Sequence, residues 1–71
     1  MASNMPGSIY LIAVLYLPTE AERIEGKRKR IIVDPTFVLA DDTQAAVNKA
    51  VMLAPRDLDP DRFEVLATNP F

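Results

Sequence analysis

The residues with the clearest chemical potential are four consecutive cations: Lys27, Arg28, Lys29 and Arg30. Clusters of Lys and Arg bind phosphates and supply the salt-dependent part of nucleic-acid affinity. No aromatic residue interrupts this run, so it lacks the stacking surface that single-strand binders use. The net charge of −2 also argues against a protein dedicated to nucleic acid. Nucleic-acid binding through residues 27–30 therefore stays an alternative rather than the first hypothesis.

Two other interpretations of the run are open. Glu20, Glu22 and Glu25 precede it closely, which suggests the solvated end of a hairpin where exposed cations keep an edge strand from aggregating. The same cations could contact an acidic surface on a partner protein.

Three acidic residues at alternate positions, Asp57, Asp59 and Asp61, resemble the opening of a calcium-binding loop. That loop requires Gly where this chain has Arg62 and Glu where it has Thr68. The sequence therefore predicts an acidic turn at this position and no metal site.

Catalytic chemistry is poorly represented. The chain has no His and no Cys, which removes the usual general bases, thiol nucleophiles and zinc ligands. Ser3 and Ser8 fall in a segment, residues 1–8, that Pro6 and Gly7 interrupt and that we predict to be a flexible arm. We therefore expect no enzyme activity, no cofactor and no catalytic residue.

The elements that position these residues follow from hydrophobic periodicity. Residues 8–18 are rich in β-branched and aromatic side chains and end at Pro18, which predicts a strand. Both of its faces are apolar, so it should be the central strand of a sheet. In residues 19–26, Thr19 and Glu22 have the spacing of a capping box, and Gly26 could end a helix. This segment is therefore compatible with one helical turn or with a solvated connection.

The remainder predicts a strand, a helix and a strand. Residues 27–40 form a second strand that Pro35 confines to an edge and bends. A helix begins at Asp41 or Asp42 and stops before Pro55. Its predicted inward stripe consists of Val47, Ala50, Val51 and Ala54, and Ala46 and Leu53 flank that stripe. Residues 62–68 form the third strand, with Phe63, Val65 and Ala67 inward.

This order predicts an α+β fold, ββαβ, with a three-stranded antiparallel sheet in the order 2-1-3 and one helix on one face. Residues 9–71 would form the single domain. One helix leaves the other sheet face uncovered, and an exposed apolar face marks an interface. We assign the uncovered face to the side of the first strand that carries its two tyrosines. The predicted partner-binding residues are Tyr10, Ile12, Val14, Tyr16, Lys27, Arg28, Lys29, Arg30 and Phe71.

Size and hydropathy limit the setting. A chain of 71 residues has a marginal core, and without disulfides or zinc we expect it to gain stability from a partner protein or from homo-oligomerisation. The longest apolar run, residues 9–17, is far shorter than the roughly 20 residues of a membrane span. No cation precedes it within residues 2–8, as a signal peptide would require. We therefore expect no membrane association.

Three stretches resemble a known group of proteins: "YLIAVLYLP" at 10–18, "VDPTFVLADD" at 33–42 and "FEVLATNPF" at 63–71. They are similar to short bacteriophage accessory proteins that share a Tyr-rich first strand, a PT-x-VLADD strand-to-helix junction and a Pro-Phe ending. The chain departs from them at Asn69, where they often have Arg. The predicted architecture is also similar to that of phage-encoded inhibitors of bacterial RNA polymerase.

The resemblance implies a bacteriophage accessory or virion-associated protein, located in the host cytoplasm or in the virion. Together with the uncovered face, it leads us to expect a non-catalytic protein–protein interaction module with a viral or host partner. The alternatives are an inhibitor that docks on a host enzyme such as RNA polymerase, and nucleic-acid binding through residues 27–30.

Overall fold

Strand β1 lies at the centre of the sheet in the computed structural model, which describes residues 7–70. The elements in chain order are β1 (Ser8–Tyr16), α1 (Glu20–Ile24), β2 (Arg30–Ala40), α2 (Thr43–Leu53), a 3₁₀ turn (Pro60–Arg62) and β3 (Phe63–Thr68). The sheet order is β2-β1-β3 and both pairings are antiparallel. The predicted α+β fold, ββαβ with strand order 2-1-3, is confirmed. Ser8, which we predicted to end the arm, is the first residue of β1; residues 1–6 lie outside the described residues.

The connection between β1 and β2 is an ordered helical turn. The Thr19 N–H donates to Glu22 Oε1 (2.9 Å) and the Glu22 N–H donates to Thr19 Oγ1 (3.1 Å), which is the predicted capping box. At the other end Gly26 has φ +90°, a conformation that glycine adopts without steric cost. The Gly26 and Lys27 N–H groups donate to the Arg23 and Glu22 carbonyls, which forms a Schellman motif. The end of α1 therefore fixes where the basic run begins.

Strand β2 is an edge strand with the predicted irregularity. Ile12 pairs with Thr36 and Val14 pairs with Val33, so two β2 residues, Asp34 and Pro35, stand opposite Ala13. A bulge of this kind accommodates proline, which has no N–H for the ladder. The strand begins at Arg30 rather than at the predicted residue 27, so the first three cations of the run lie in the loop before it.

Helix α2 packs on the sheet through small side chains. The Asp42 side chain caps it by accepting from the Ala45 N–H (2.8 Å), which confirms the predicted start. Ala46, Ala50 and Ala54 are buried at intervals of four residues, so the helix backbone approaches the strands closely. Leu53, predicted to flank the buried stripe, is exposed instead.

The face that α2 covers corrects one prediction. Tyr10, Ile12, Val14 and Tyr16 are all buried in the core, whereas we assigned them to the uncovered face. The physical reason is the register of β3: Phe63 pairs with Tyr16, Val65 with Val14 and Ala67 with Ile12, and cross-strand neighbours share a face. Since the inward residues of β3 pack against the core, the tyrosine side of β1 faces the helix.

No helix within residues 7–70 is long and apolar enough to cross a membrane.

Candidate functional site: the open face of the sheet and its basic rim

The side of the sheet opposite α2 carries an apolar surface built from all three strands. On β1 it consists of the odd-numbered residues, which alternate with the buried ones. Their neighbours in the pairing register extend it: Leu39 lies beside Ile9, Phe37 beside Leu11, Ile31 beside Leu15 and Leu66 beside Ala13. We call this surface the open face and define it by eight residues: Ile9, Leu11, Ala13, Leu15, Ile31, Phe37, Leu39 and Leu66.

The open face leaves large side chains in water. Five of its members are between 42% and 60% exposed: Ile9, Ile31, Phe37, Leu39 and Leu66. The other exposed large apolar side chains among the described residues, Ile24, Met52 and Leu53, belong to the two helices. Single exposed apolar residues are ordinary, but a contiguous group on one face is characteristic of a binding surface.

A salt bridge marks one end of the open face. Lys29 Nζ lies 2.8 Å from Glu64 Oε1, and Glu64 is the β3 neighbour of Leu15. Both side chains are well exposed, so the pair adds at most about 1 kcal/mol to stability. Its relevance is positional, because it places one charge of each sign beside the apolar surface.

Of the predicted partner-binding residues, the four β1 side chains serve the fold. The Tyr16 ring lies 4.2 Å from the Arg62 guanidinium and 5.4 Å from that of Arg30, and it meets the Phe63 ring edge-on with centroids 5.8 Å apart. Its hydroxyl accepts from the Asp59 N–H (3.1 Å). A side chain enclosed in this way cannot contact a partner while the domain is folded. Phe71, the last predicted contact, lies outside the described residues.

Arg62 was absent from the predicted site and connects three elements. Its Nη2 lies 2.6 Å from Glu22 Oε1 and its Nε donates to the Leu17 carbonyl (2.8 Å). It thereby fastens α1 and the end of β1 to the start of β3. Glu22 and Leu17 are 40 and 45 residues away from Arg62 in sequence, so no local pattern could have revealed these two contacts. The capping box was the one available signal that the Glu22 side chain is held in place.

The four cations of the basic run differ in where their side chains lie. Lys29 pairs with Glu64 at the open face, and Arg30 lies over the Tyr16 ring on the opposite side. Lys27 and Arg28 are exposed in the loop, with Lys27 Nζ 4.0 Å from Glu25 Oε1. Lys27 and Arg28 both border two open hollows of about 470 and 520 Å³; Arg30 also borders the first and Lys29 the second. The run thus divides between the two sides of the sheet and the loop between them.

The acidic turn has a structural explanation. Asp59 Oδ1 accepts from the Asp61 N–H (3.0 Å) and the Asp59 carbonyl accepts from the Arg62 N–H (3.0 Å), so Asp59 caps the 3₁₀ turn before β3. Within residues 7–70, no group of three or more His, Cys, Asp or Glu side chains is arranged to hold a metal ion.

The electrostatics of Glu22 give a testable pH dependence. The hydrogen bond from the Thr19 N–H, aided by the Arg62 charge and opposed by partial desolvation, lowers the pKa of the Glu22 carboxyl from its ordinary value. A lowered pKa in the folded state adds stability above the pKa of the unfolded chain, about 4.3, and that stability is lost as the pH falls through the folded pKa.

We therefore expect Glu22→Gln to be less stable than the parent at pH 7, with the difference shrinking as the pH falls below about 4. Urea denaturation of both proteins between pH 7 and pH 3 measures it. A difference that stays constant across this range would show that the charge of Glu22 contributes nothing.

Comparison with known proteins adds no further constraint. No protein-family model, no curated protein and no solved structure matches this chain. The open face and the basic residues beside it are therefore the basis for a functional proposal.

Proposed function

We propose that this protein is a non-catalytic protein–protein interaction module and that it binds through the open face. The observation that supports this most strongly is the exposure of five large apolar side chains on one side of a three-stranded sheet. Burial of apolar area contributes about 25 cal/mol per Å², so a protein surface that covers these side chains gains much of its binding energy from them. Lys27 and Arg28, exposed beside the sheet, form a polar rim that favours an acidic neighbour.

The sequence resemblance supplies the biological setting of the proposal. It suggests a bacteriophage accessory protein whose partner is either another virion component or a host enzyme. These two settings predict different partners for the same surface, so identifying what touches the open face separates them.

The proposal is tested by photo-crosslinking in the cells that produce the protein. A benzophenone amino acid replaces Phe37 on the open face in one variant and Met52 in the matched control. Met52 is 73% exposed on α2, so the control probe is at least as accessible. We expect discrete protein adducts from position 37 and none of the same mass from position 52.

The identity of the adducts decides among the alternatives. An adduct with a host enzyme indicates an inhibitor, an adduct with another viral protein indicates a virion-associated role, and an adduct with a second copy of this chain indicates self-association. Equal adduct patterns from both positions, or none from position 37, contradict the proposal. Nucleic-acid binding is tested separately: duplex DNA retained at low salt by the parent and lost by the Lys27→Glu, Arg28→Glu double variant would favour that function instead.

A further inference from the structure

We infer that the open face binds a second copy of this chain, giving a two-fold dimer in which two sheets pack face to face with the α2 helices outside. This inference rests on the proposed function and names the partner of the same surface.

The area of the open face suits a weak dimer. Strands lie about 4.8 Å apart and rise about 3.4 Å per residue, so a three-stranded sheet with a nine-residue centre has a footprint of roughly 400 Å². With the protruding side chains, two copies bury about 1,000 Å² in total, which is the lower bound for a specific interface. We therefore expect a dissociation constant on the order of 1–100 µM.

The charges favour one orientation of the two-fold axis. An axis that runs along β1, between the sheets, places β2 of each copy over β3 of the other with equivalent strand ends at the same height. Lys29 and Glu64 both lie at the Tyr16 end of the sheet, so Lys29 then stands opposite Glu64 of the second copy. An axis across β1 instead brings Lys29 over the Leu39 end of the second β2, where a charge would meet an apolar side chain.

The sizes of the side chains on the open face also fit this arrangement. Large side chains from β2, Ile31, Phe37 and Leu39, would pack over β3, which contributes Leu66 as its one large exposed apolar residue. Ala13, the smallest member of the open face, lies near the middle of the central strand, and an axis along β1 places it opposite Ala13 of the second copy. Aligned sheets pack about 10 Å apart, and a small central side chain permits that approach.

Sedimentation velocity of the purified protein between about 1 and 500 µM, a range set by the expected affinity, tests the inference. We expect a monomer–dimer equilibrium, a dissociation constant at least tenfold higher for Leu66→Asp, and an unchanged constant for Met52→Asp, the control on α2. Circular dichroism confirms that each variant is folded. A parent protein that stays monomeric throughout, or equal effects of the two substitutions, overturns the inference.

A charge exchange tests the orientation. Lys29→Glu and Glu64→Lys each create like-charge contacts in a homodimer, while a mixture of the two chains restores opposite charges at both contacts. We expect the mixture to form heterodimers at least tenfold more tightly than either chain forms homodimers. If the mixture shows no preference for heterodimers, the axis along β1 is wrong. That result would instead fit edge-to-edge pairing of β3, which does not bring Lys29 near Glu64 of the second copy.

The dimer and the broader proposal fail in different ways. A monomer that still gives a position-37 adduct with another protein overturns the dimer and leaves the proposed function standing. If the parent stays monomeric and position 37 gives no adduct, both are wrong.

Discussion

Ile12→Ala should lower the free energy of unfolding by about 2–5 kcal/mol. The Ile12 side chain is only 1% exposed and lies in the core cluster between β1 and α2. Its truncation removes three carbon atoms from the apolar interior and leaves a cavity that the neighbouring strands fill incompletely. A domain of 71 residues has a total stability of about 4–10 kcal/mol, so this loss is a large fraction of the total and the variant should melt at a clearly lower temperature than the parent.

Ile9→Ala is the matched control, because it makes the same chemical change on the same strand. Ile9 lies on the open face and is 42% exposed, so we expect its truncation to cost less than about 1 kcal/mol in the monomer. Urea denaturation of both variants, at concentrations below the expected dimer dissociation constant, gives the comparison. A larger loss from Ile9 than from Ile12 would mean that α2 covers the opposite side of the sheet.

The arrangement of the strands could be predicted from sequence because it depends on local and compositional signals. A first strand apolar on both faces belongs at the centre of a sheet, and Pro35 restricts the second strand to an edge. Asp42 and Pro55 bound the main helix. Each of these signals acts within a few residues, and the structure follows all of them.

The side of β1 that meets the helix could not be predicted from β1 itself. Because both faces of β1 are apolar, the alternation of its residues does not show which face the helix covers. That depends on how β3 aligns with β1. The inward set of β3 was predicted from its own alternation, but its pairing with Val14 and Tyr16 is a long-range property. The tyrosines suggested an interface, yet Tyr16 finds its hydroxyl partner in the Asp59 N–H, 43 residues away.

The basic run shows a similar limit. Sequence placed it correctly at the entry of an edge strand, because the capping box and Gly26 fix the preceding turn. It did not show that the side chains of Lys29 and Arg30 lie on opposite sides of the sheet, since that depends on where β2 begins. Lys29 therefore lies beside the open face, whereas Arg30 lies over the Tyr16 ring on the other side of the sheet.

Ala50→Leu should destabilise the domain by about 1–3 kcal/mol, although leucine forms helices nearly as well as alanine. Ala50 is fully buried in the core cluster, and the row of small residues formed with Ala46 and Ala54 sets the spacing between α2 and the sheet. A leucine there must either push the helix away from β1 or adopt a strained rotamer. Either response loosens the contacts of Ile12 and Val14, so the loss extends beyond one side chain.

Asn48→Leu provides the control on the exposed side of the same helix. It also introduces leucine into α2, but at a side chain that faces solvent, so propensity alone should leave stability unchanged or slightly raised. Thermal denaturation of the two variants and the parent separates overpacking from helix propensity. An Ala50→Leu protein as stable as the parent would mean that the helix can move outward without loss, and that close packing at Ala50 does not fix the position of α2 on the sheet.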